Sequence, residues 1–264
     1  MSGVFYEDHA CTTNPDAATV VLLHGWGMHS GVWQDFVPLL TAHFHVRCID
    51  LPGFGHSSTM IAPESLDDMV AAVMLAAPAR AVWAGWSLGG LVALAIAARH
   101  PERVTALVLL AATPCFVQKN GWLTAMPPVQ FETFSDAARQ NADAALKLFM
   151  ALQCKGSVSM KNDLRFLQEA SGKCGMTHAS ALLSALDLLG TCDLREAAVQ
   201  LDIPVLAITG EHDVLVPATV AAALGELNPR CEAYVVTGAA HVPFISHPGH
   251  CRDAMLTFMQ DIHE

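Results

Sequence analysis

The sequence predicts an α/β protein: a mostly parallel central sheet, helices on both of its faces, and an inserted helical cap. Three observations lead there. Short apolar runs with little polar alternation, the pattern of strands covered on both sides, alternate with helix-period segments. That alternation breaks once, between about residues 116 and 192, and resumes at Ile203-Pro204. A Gly-x-Ser-x-Gly sequence falls where one strand hands over to a helix.

In chain order, strands are predicted at Thr19–Leu23, 46–50, 81–84, 105–110, 205–209 and 233–236. Helices are predicted at 33–42, 65–75, 89–99, 218–227 and 249–262, each flanked by Pro, Gly or a polar cap. Strands alternating with helices imply a parallel sheet. Inside the interruption only helical patterning is visible: Ala142, Ala145, Leu146, Phe149 and Leu152 share one face, as do Leu182, Leu186 and Leu189. The expected organisation is a core of residues 1–115 and 193–264, with residues 116–192 as a lid over the C-terminal edge of the sheet, where open α/β proteins bind ligands.

Of the 264 residues, 53% are apolar and 15% charged, against ~45–50% and ~25% in ordinary soluble proteins. Such a chain fills a large core and is too apolar for disorder. The net charge of −11 and the lack of any Lys/Arg block argue against a nucleic-acid partner. The longest apolar stretches, 91–98 and 107–112, fall short of the ~18 residues a membrane span needs, so no membrane association is expected. Arg47 is the first basic residue, and Glu7 and Asp8 stand where an export signal carries positive charge, so a cytoplasmic location is expected. The 8 cysteines are scattered without a CxxC pair and read as reduced thiols used as small hydrophobes. The 13 histidines show no metal-ligand spacing, so neither a metal nor another cofactor is expected.

The strongest local signal is Gly85-Trp86-Ser87-Leu88-Gly89-Gly90, directly after one predicted strand and before the next helix. A serine on so sharp a turn has strained dihedrals, needs glycines beside it, and lifts its hydroxyl above the sheet at the positive end of the helix. An alcohol is a weak nucleophile at neutral pH and needs a base. His241, in the loop after the last strand, is the leading candidate, with His24 and His212 as competitors. A carboxylate must orient the imidazole and offset its developing charge. Asp213 completes the chain order Ser, Asp, His; Glu211 and Asp193 are substitutes. An oxyanion needs N–H donors aimed at it, and Leu88 after the serine and Trp26 in His24-Gly25-Trp26-Gly27 stand at the two expected places. The run 50–57 reads as a structural bend, with His56 exposed.

Taken together, His24-Gly25-Trp26-Gly27, the run 50–57, Gly85–Gly90, the run 210–213 and His241 resemble the α/β-hydrolase family across nearly the whole chain. Within it they resemble most the branch of pimeloyl-[acyl-carrier protein] methyl ester esterases. The closer match rests on the same motifs, on Trp86, on the segment Phe149-Met150-Ala151-Leu152-Gln153, on Pro114-Cys115-Phe116 and on the run 240–248. The resemblance implies a serine esterase that cleaves the methyl ester of a pimeloyl chain on acyl carrier protein, releasing methanol, in biotin synthesis. It implies that Trp26, Ser87, Leu88, Phe149, Met150, Ala151, Leu152, Gln153 and His241 bind the substrate, and that free short-chain esters are secondary substrates. No cofactor is implied, and a monomer is expected.

An acidic carrier calls for positive charge near the channel mouth. Residues 119–173 carry seven basic and five acidic side chains, a net of +2 in a chain of −11. Lys147, Lys155, Lys161 and Arg165 are the candidate docking residues; Lys161 and Arg165 are spaced to share a helix face. The rival readings are a general short-chain carboxylesterase, a carbon–carbon bond hydrolase with the same triad, and a hydrolase-fold protein that binds a ligand without turnover.

Overall fold

The computed structural model describes residues 3–174 and 177–262. Its strands are β1 (Tyr6–His9), β2 (Thr19–Leu23), β3 (His45–Ile49), β4 (Ala81–Trp86), β5 (Val104–Leu110), β6 (Val205–Gly210) and β7 (Cys231–Val236). They form one seven-stranded sheet in the order β1-β3-β2-β4-β5-β6-β7. Only the β1–β3 pair is antiparallel; all other neighbours run parallel. The loops that leave β2, β4, β6 and β7 therefore emerge at one edge.

The helices are α1 (Val37–Leu40), α2 (Leu66–Met74), α3 (Leu88–Arg99), α4 (Pro128–Gln140), α5 (Ala142–Cys154), α6 (Met160–Ser171), α7 (Ala179–Thr191), α8 (Arg195–Gln200), α9 (Thr219–Leu227), α10 (Pro243–Ser246) and α11 (Pro248–Asp261). Alternation along the strands divides the interior into two layers. Val21, Leu23, Trp83, Leu107 and Ala207 pack with α2, α3, α8 and α9. Val20, Leu22, Val82, Val108 and Ile208 pack with α1, α10 and α11. Both faces are covered, which is why the strands lack polar alternation.

The structure differs from the sequence expectation at β1 and at the helix expected over 33–42, and it adds the short helices α8 and α10. β1 is absent from that expectation because Tyr-Glu-Asp-His carries no apolar rhythm and Tyr6, Glu7 and Asp8 are exposed. That edge strand is held instead by Arg47 on β3, whose Nε and Nη2 donate to the two Asp8 oxygens at 2.7 Å and whose guanidinium lies 4.1 Å from the Tyr6 ring centre. The single helix expected over 33–42 is a 3₁₀ turn, Ser30–Trp33, followed by α1. Pro38 has no N–H for the bond a continuous helix would make there, so the helix starts afresh at Val37 with the proline in its first turn.

Between β5 and β6 the chain runs through α4 to α8. α4, α5, α6 and α7 pack on one another and are tied to the loops at the strand C-termini. The Trp26 indole donates to the Leu182 carbonyl on α7 at 2.8 Å, and the His241 N–H donates to the Gln153 carbonyl on α5 at 3.0 Å. His29 Nδ1 accepts the Gly31 N–H at 3.0 Å, which leaves Nε2 to donate to the Ala170 carbonyl on α6 at 2.8 Å.

Beneath these helices the bend after β3 is organised by Asp50, fully buried. Its carboxylate accepts the Ser30 N–H at 2.6 Å and the His56 N–H at 2.8 Å. An Asp50→Ala substitution leaves both donors unpaired, at a cost of about 1–3 kcal/mol. For a chain of this size each kcal/mol lowers Tm by roughly 2–4 °C. Thermal unfolding reads the shift, and an unchanged Tm would show that the bend holds without the carboxylate.

Candidate active site

The turn between β4 and α3 has the strain foreseen for it. Ser87 has φ 54° and ψ −116°, a region that L-residues with a side chain avoid. The backbone is held there by Ser87 N–H donating to the Leu110 carbonyl at 3.0 Å and by the Gly90 and Leu91 N–H groups donating to the Ser87 carbonyl at 2.9 and 3.2 Å. Gly85 and Gly89 permit the close approach. A Cβ at Gly85 would lie 2.2 Å from the Gly89 carbonyl oxygen, and one at Gly89 would lie 2.3 Å from that of Leu23.

The loop after β6 brings Asp213 to the same edge. One carboxylate oxygen accepts the Leu215 and Val216 N–H groups at 2.8 and 2.9 Å; the other meets His241 Nδ1 at 2.7 Å. Both side chains are fully shielded from solvent. A carboxylate oxygen accepts, so Nδ1 is the donor, and Nε2 is the ring nitrogen left for other chemistry. His241 Nε2 and Ser87 Oγ are both buried, and neither has a hydrogen-bond partner among the described residues. Gly210 lets the two loops meet, since a Cβ there would lie 2.0 Å from the Ala240 carbonyl oxygen.

The competing residues are occupied elsewhere. His24 Nε2 accepts the Leu51 N–H at 2.9 Å, so Nδ1 donates to the Gly25 carbonyl at 2.9 Å; burial pushes this imidazole down to about 4. His212 lies beside Glu211 at 3.7 Å, both half-exposed, and Glu211 accepts the Gly238 N–H at 2.9 Å. Asp193 is held by Arg195 at 2.7 and 2.8 Å, and that pairing lowers its carboxyl below the usual range.

Leu88 is the first residue of α3, so its N–H has no carbonyl partner within the helix. Trp26, fully buried, follows the loop against which Gly89 packs, and its ring meets Phe149 and Phe134 edge-on at 5.0 and 5.8 Å. Phe149, Met150 and Gln153 lie buried on one face of α5. A cavity of about 630 Å³ on one side of α5 is lined by Gly27, His29, Leu146, Lys147 and Met150 among others. One of about 170 Å³ on the other side is lined by Phe131, Phe149, Leu152, Lys155 and Leu215 among others. Ala151 is half-buried and lines neither. Lys161 and Arg165 are exposed on α6, with Arg165 Nε 4.0 Å from Glu169.

Sequence reasoning missed the tie made by Trp86. Its indole donates to the His241 carbonyl at 2.8 Å, joining the serine turn directly to the histidine loop. The available signal was a tryptophan inside an otherwise apolar interior, since a buried indole N–H needs an acceptor.

A strained serine turn and a carboxylate-oriented imidazole at one rim of a parallel sheet, under packed helices, define the hydrolase class of α/β proteins. The alpha/beta hydrolase fold model matches residues 18–248, and the chain belongs to the α/β-hydrolase family as a carboxylesterase. It is 39% identical over 241 residues to a pimeloyl-[acyl-carrier protein] methyl ester esterase of Yersinia enterocolitica, covering 91% of this chain and 93% of that one. To the protein of the same name from Klebsiella pneumoniae it is 43% identical over 229 residues, covering 87% and 88%. The solved esterase of Exiguobacterium antarcticum shares the fold with a TM-score of 0.82 at 20% identity, over 97% of this chain and 95% of that one.

The buried His24 makes folding sensitive to acid. Its ring stays neutral in the fold down to about pH 4, whereas in the unfolded chain it takes a proton near pH ~6.5. Between those values the unfolded state binds more protons, so stability falls as pH falls, by up to ~1.4 kcal/mol per pH unit. Urea unfolding at pH 7, 5.5 and 4.5 should show a steeper loss in the wild type than in His24→Gln; equal slopes would sink this assignment.

Proposed function

We propose that this chain hydrolyses the methyl ester of a pimeloyl chain carried on acyl carrier protein, yielding the free pimeloyl carboxylate and methanol, for biotin synthesis. The observation that carries the reading is the buried Asp213–His241 pair at the sheet edge that also bears the unpartnered Ser87 hydroxyl, in a chain about 40% identical to esterases of that name.

In this reading His241 Nε2 takes the Ser87 proton as Oγ adds to the ester carbonyl. The Trp26 and Leu88 N–H groups hold the oxyanion, each donor worth ~3 kcal/mol in comparable sites. The intermediate collapses as the imidazolium gives its proton to the departing methoxy oxygen, and methanol leaves. Water then cleaves the acyl-enzyme by the same proton route. Asp213 holds Nδ1–H throughout, and no cofactor takes part.

Residues 116–192 act as the lid over a core of 1–115 and 193–264. The acyl chain runs past Phe149 and Met150 into the larger cavity, whose lining includes Lys147. Lys155 at the smaller cavity and Lys161 and Arg165 on α6 add positive charge for the acidic carrier. The chain acts as a monomer in the cytoplasm, where its 8 cysteines, all free thiols, stay reduced.

Purified protein offered pimeloyl methyl ester on its carrier and the same ester free should turn over the carried form at least tenfold faster at low substrate; equal rates remove the carrier from the reading. Ser87→Ala should lower kcat by about 10⁶-fold with folding intact, and undiminished cleavage ends the esterase assignment for this serine. Reversing Lys161 and Arg165 to Glu should raise KM for the carried ester roughly three- to tenfold, leave the free ester unaffected, and weaken the salt dependence. An unchanged KM would locate docking elsewhere.

A further inference from the structure

Gln153 is fully buried, and neither its Oε1 nor its Nε2 has a hydrogen-bond partner among the described residues. The rest of its face on α5 is apolar: Ala145, Phe149, Met150 and Cys154. Leu or Met would fill the space without burying an unpaired amide, so packing does not account for a glutamine. Its surroundings point to a polar guest. The Gln153 carbonyl accepts the His241 N–H at 3.0 Å, which fixes this turn of α5 against the residue bearing the imidazole. One turn earlier Phe149 meets the Trp26 ring at 5.0 Å. The segment thus reaches from the oxyanion loop to His241, over the rim where Ser87 Oγ and His241 Nε2 are also without partners.

We propose that the Gln153 amide positions the water that cleaves the acyl-enzyme, an inference that rests on the esterase reading above. In acylation the nucleophile needs no further anchor, because Ser87 Oγ is fixed by its own bond to the backbone. In deacylation the nucleophile is a free water. Donating one hydrogen to His241 Nε2 leaves it free to turn; donating the other to Gln153 Oε1 aims its lone pair at the acyl carbon. The water oxygen–carbon bond forms as the first proton moves to Nε2. The carbon–Oγ bond then breaks, Nε2 returns that proton to Ser87 Oγ, and the acid departs as carboxylate with its remaining proton going to solvent.

Stopped-flow turnover of p-nitrophenyl acetate by the wild type, Gln153→Leu and Gln153→Glu separates the two half-reactions. The Leu variant should acylate within about threefold of the wild type and deacylate ~10- to 100-fold more slowly, giving a burst followed by a slow steady state. The Glu variant, which keeps an acceptor oxygen, should deacylate faster than the Leu variant. In methanol–water mixtures the ratio of methyl acetate to acetate should rise at least tenfold for Leu, because methanol has only one hydrogen to donate and loses nothing when the second acceptor goes. The Leu variant should keep or raise the wild-type Tm. An unchanged product ratio, equal slowing of both half-reactions, a raised KM at constant kcat, or a lowered Tm each overturns the inference. A wild type that never acylates Ser87 overturns the esterase reading itself, and this inference with it.

Discussion

The close backbone packing around Ser87 is the constraint on which the site depends. With no side chain at Gly85 or Gly89, the first turn of α3 presses at once on its own strand and on the end of β2. That crowding holds Ser87 at φ 54°, a strain of order 1–3 kcal/mol that persists only where the surroundings leave no alternative. It also sets the loop after β2 beside the N-terminus of α3. The backbone that leads into Trp26 is thereby set against the first turn of α3, which begins at Leu88.

Around this turn several enclosed polar groups are fully paired. His24 bonds through both ring nitrogens, Asp50 through both carboxylate oxygens, and Asp213 through both of its own. The indoles of Trp26 and Trp86 each find a carbonyl. Among the described residues, the buried side-chain atoms without a partner are Ser87 Oγ, His241 Nε2 and the Gln153 amide, together with Trp33 Nε1, Thr124 Oγ1 and Thr209 Oγ1. Leaving such a group unpaired costs about 1–3 kcal/mol. Under the proposed reading, the open atoms of Ser87, His241 and Gln153 are the ones a reacting molecule completes.

The sheet was legible in the sequence because its strands are buried on both faces. β2 falls at Thr19–Leu23 as read from its apolar run, and the remaining parallel strands lie within two residues of their expected limits. β1 was not legible, because an edge strand held by an Arg–Asp pair has no apolar signature. The break at Pro38 was present in the sequence but outweighed by the helical rhythm around it. At the site, chain order and flanking elements point to Ser87, Asp213 and His241, and of these the structure joins Asp213 to His241. The bonds that join the loops are different in kind: Trp86 to the His241 carbonyl and His241 to the Gln153 carbonyl link residues 155 and 88 positions apart. Acceptors supplied by backbone leave no mark in the residue types of the chain that offers them.

Helix α5 is where core and insertion become one device under the proposed reading. Its buried face contributes Phe149 to the core layer that holds Trp26 and Leu88, and Met150 to the layer that holds Trp86 and Phe244. It therefore bridges the two sides of the sheet at the rim. Its exposed cations are divided likewise, Lys147 toward the larger cavity and Lys155 toward the smaller. Arg165 on α6 spends part of its field on Glu169, a pair 70% and 66% exposed and so weak in water. In the proposed reading, charge spread in this way acts on an acidic carrier over a Debye length of about 8 Å at physiological salt and does not anchor it at one point.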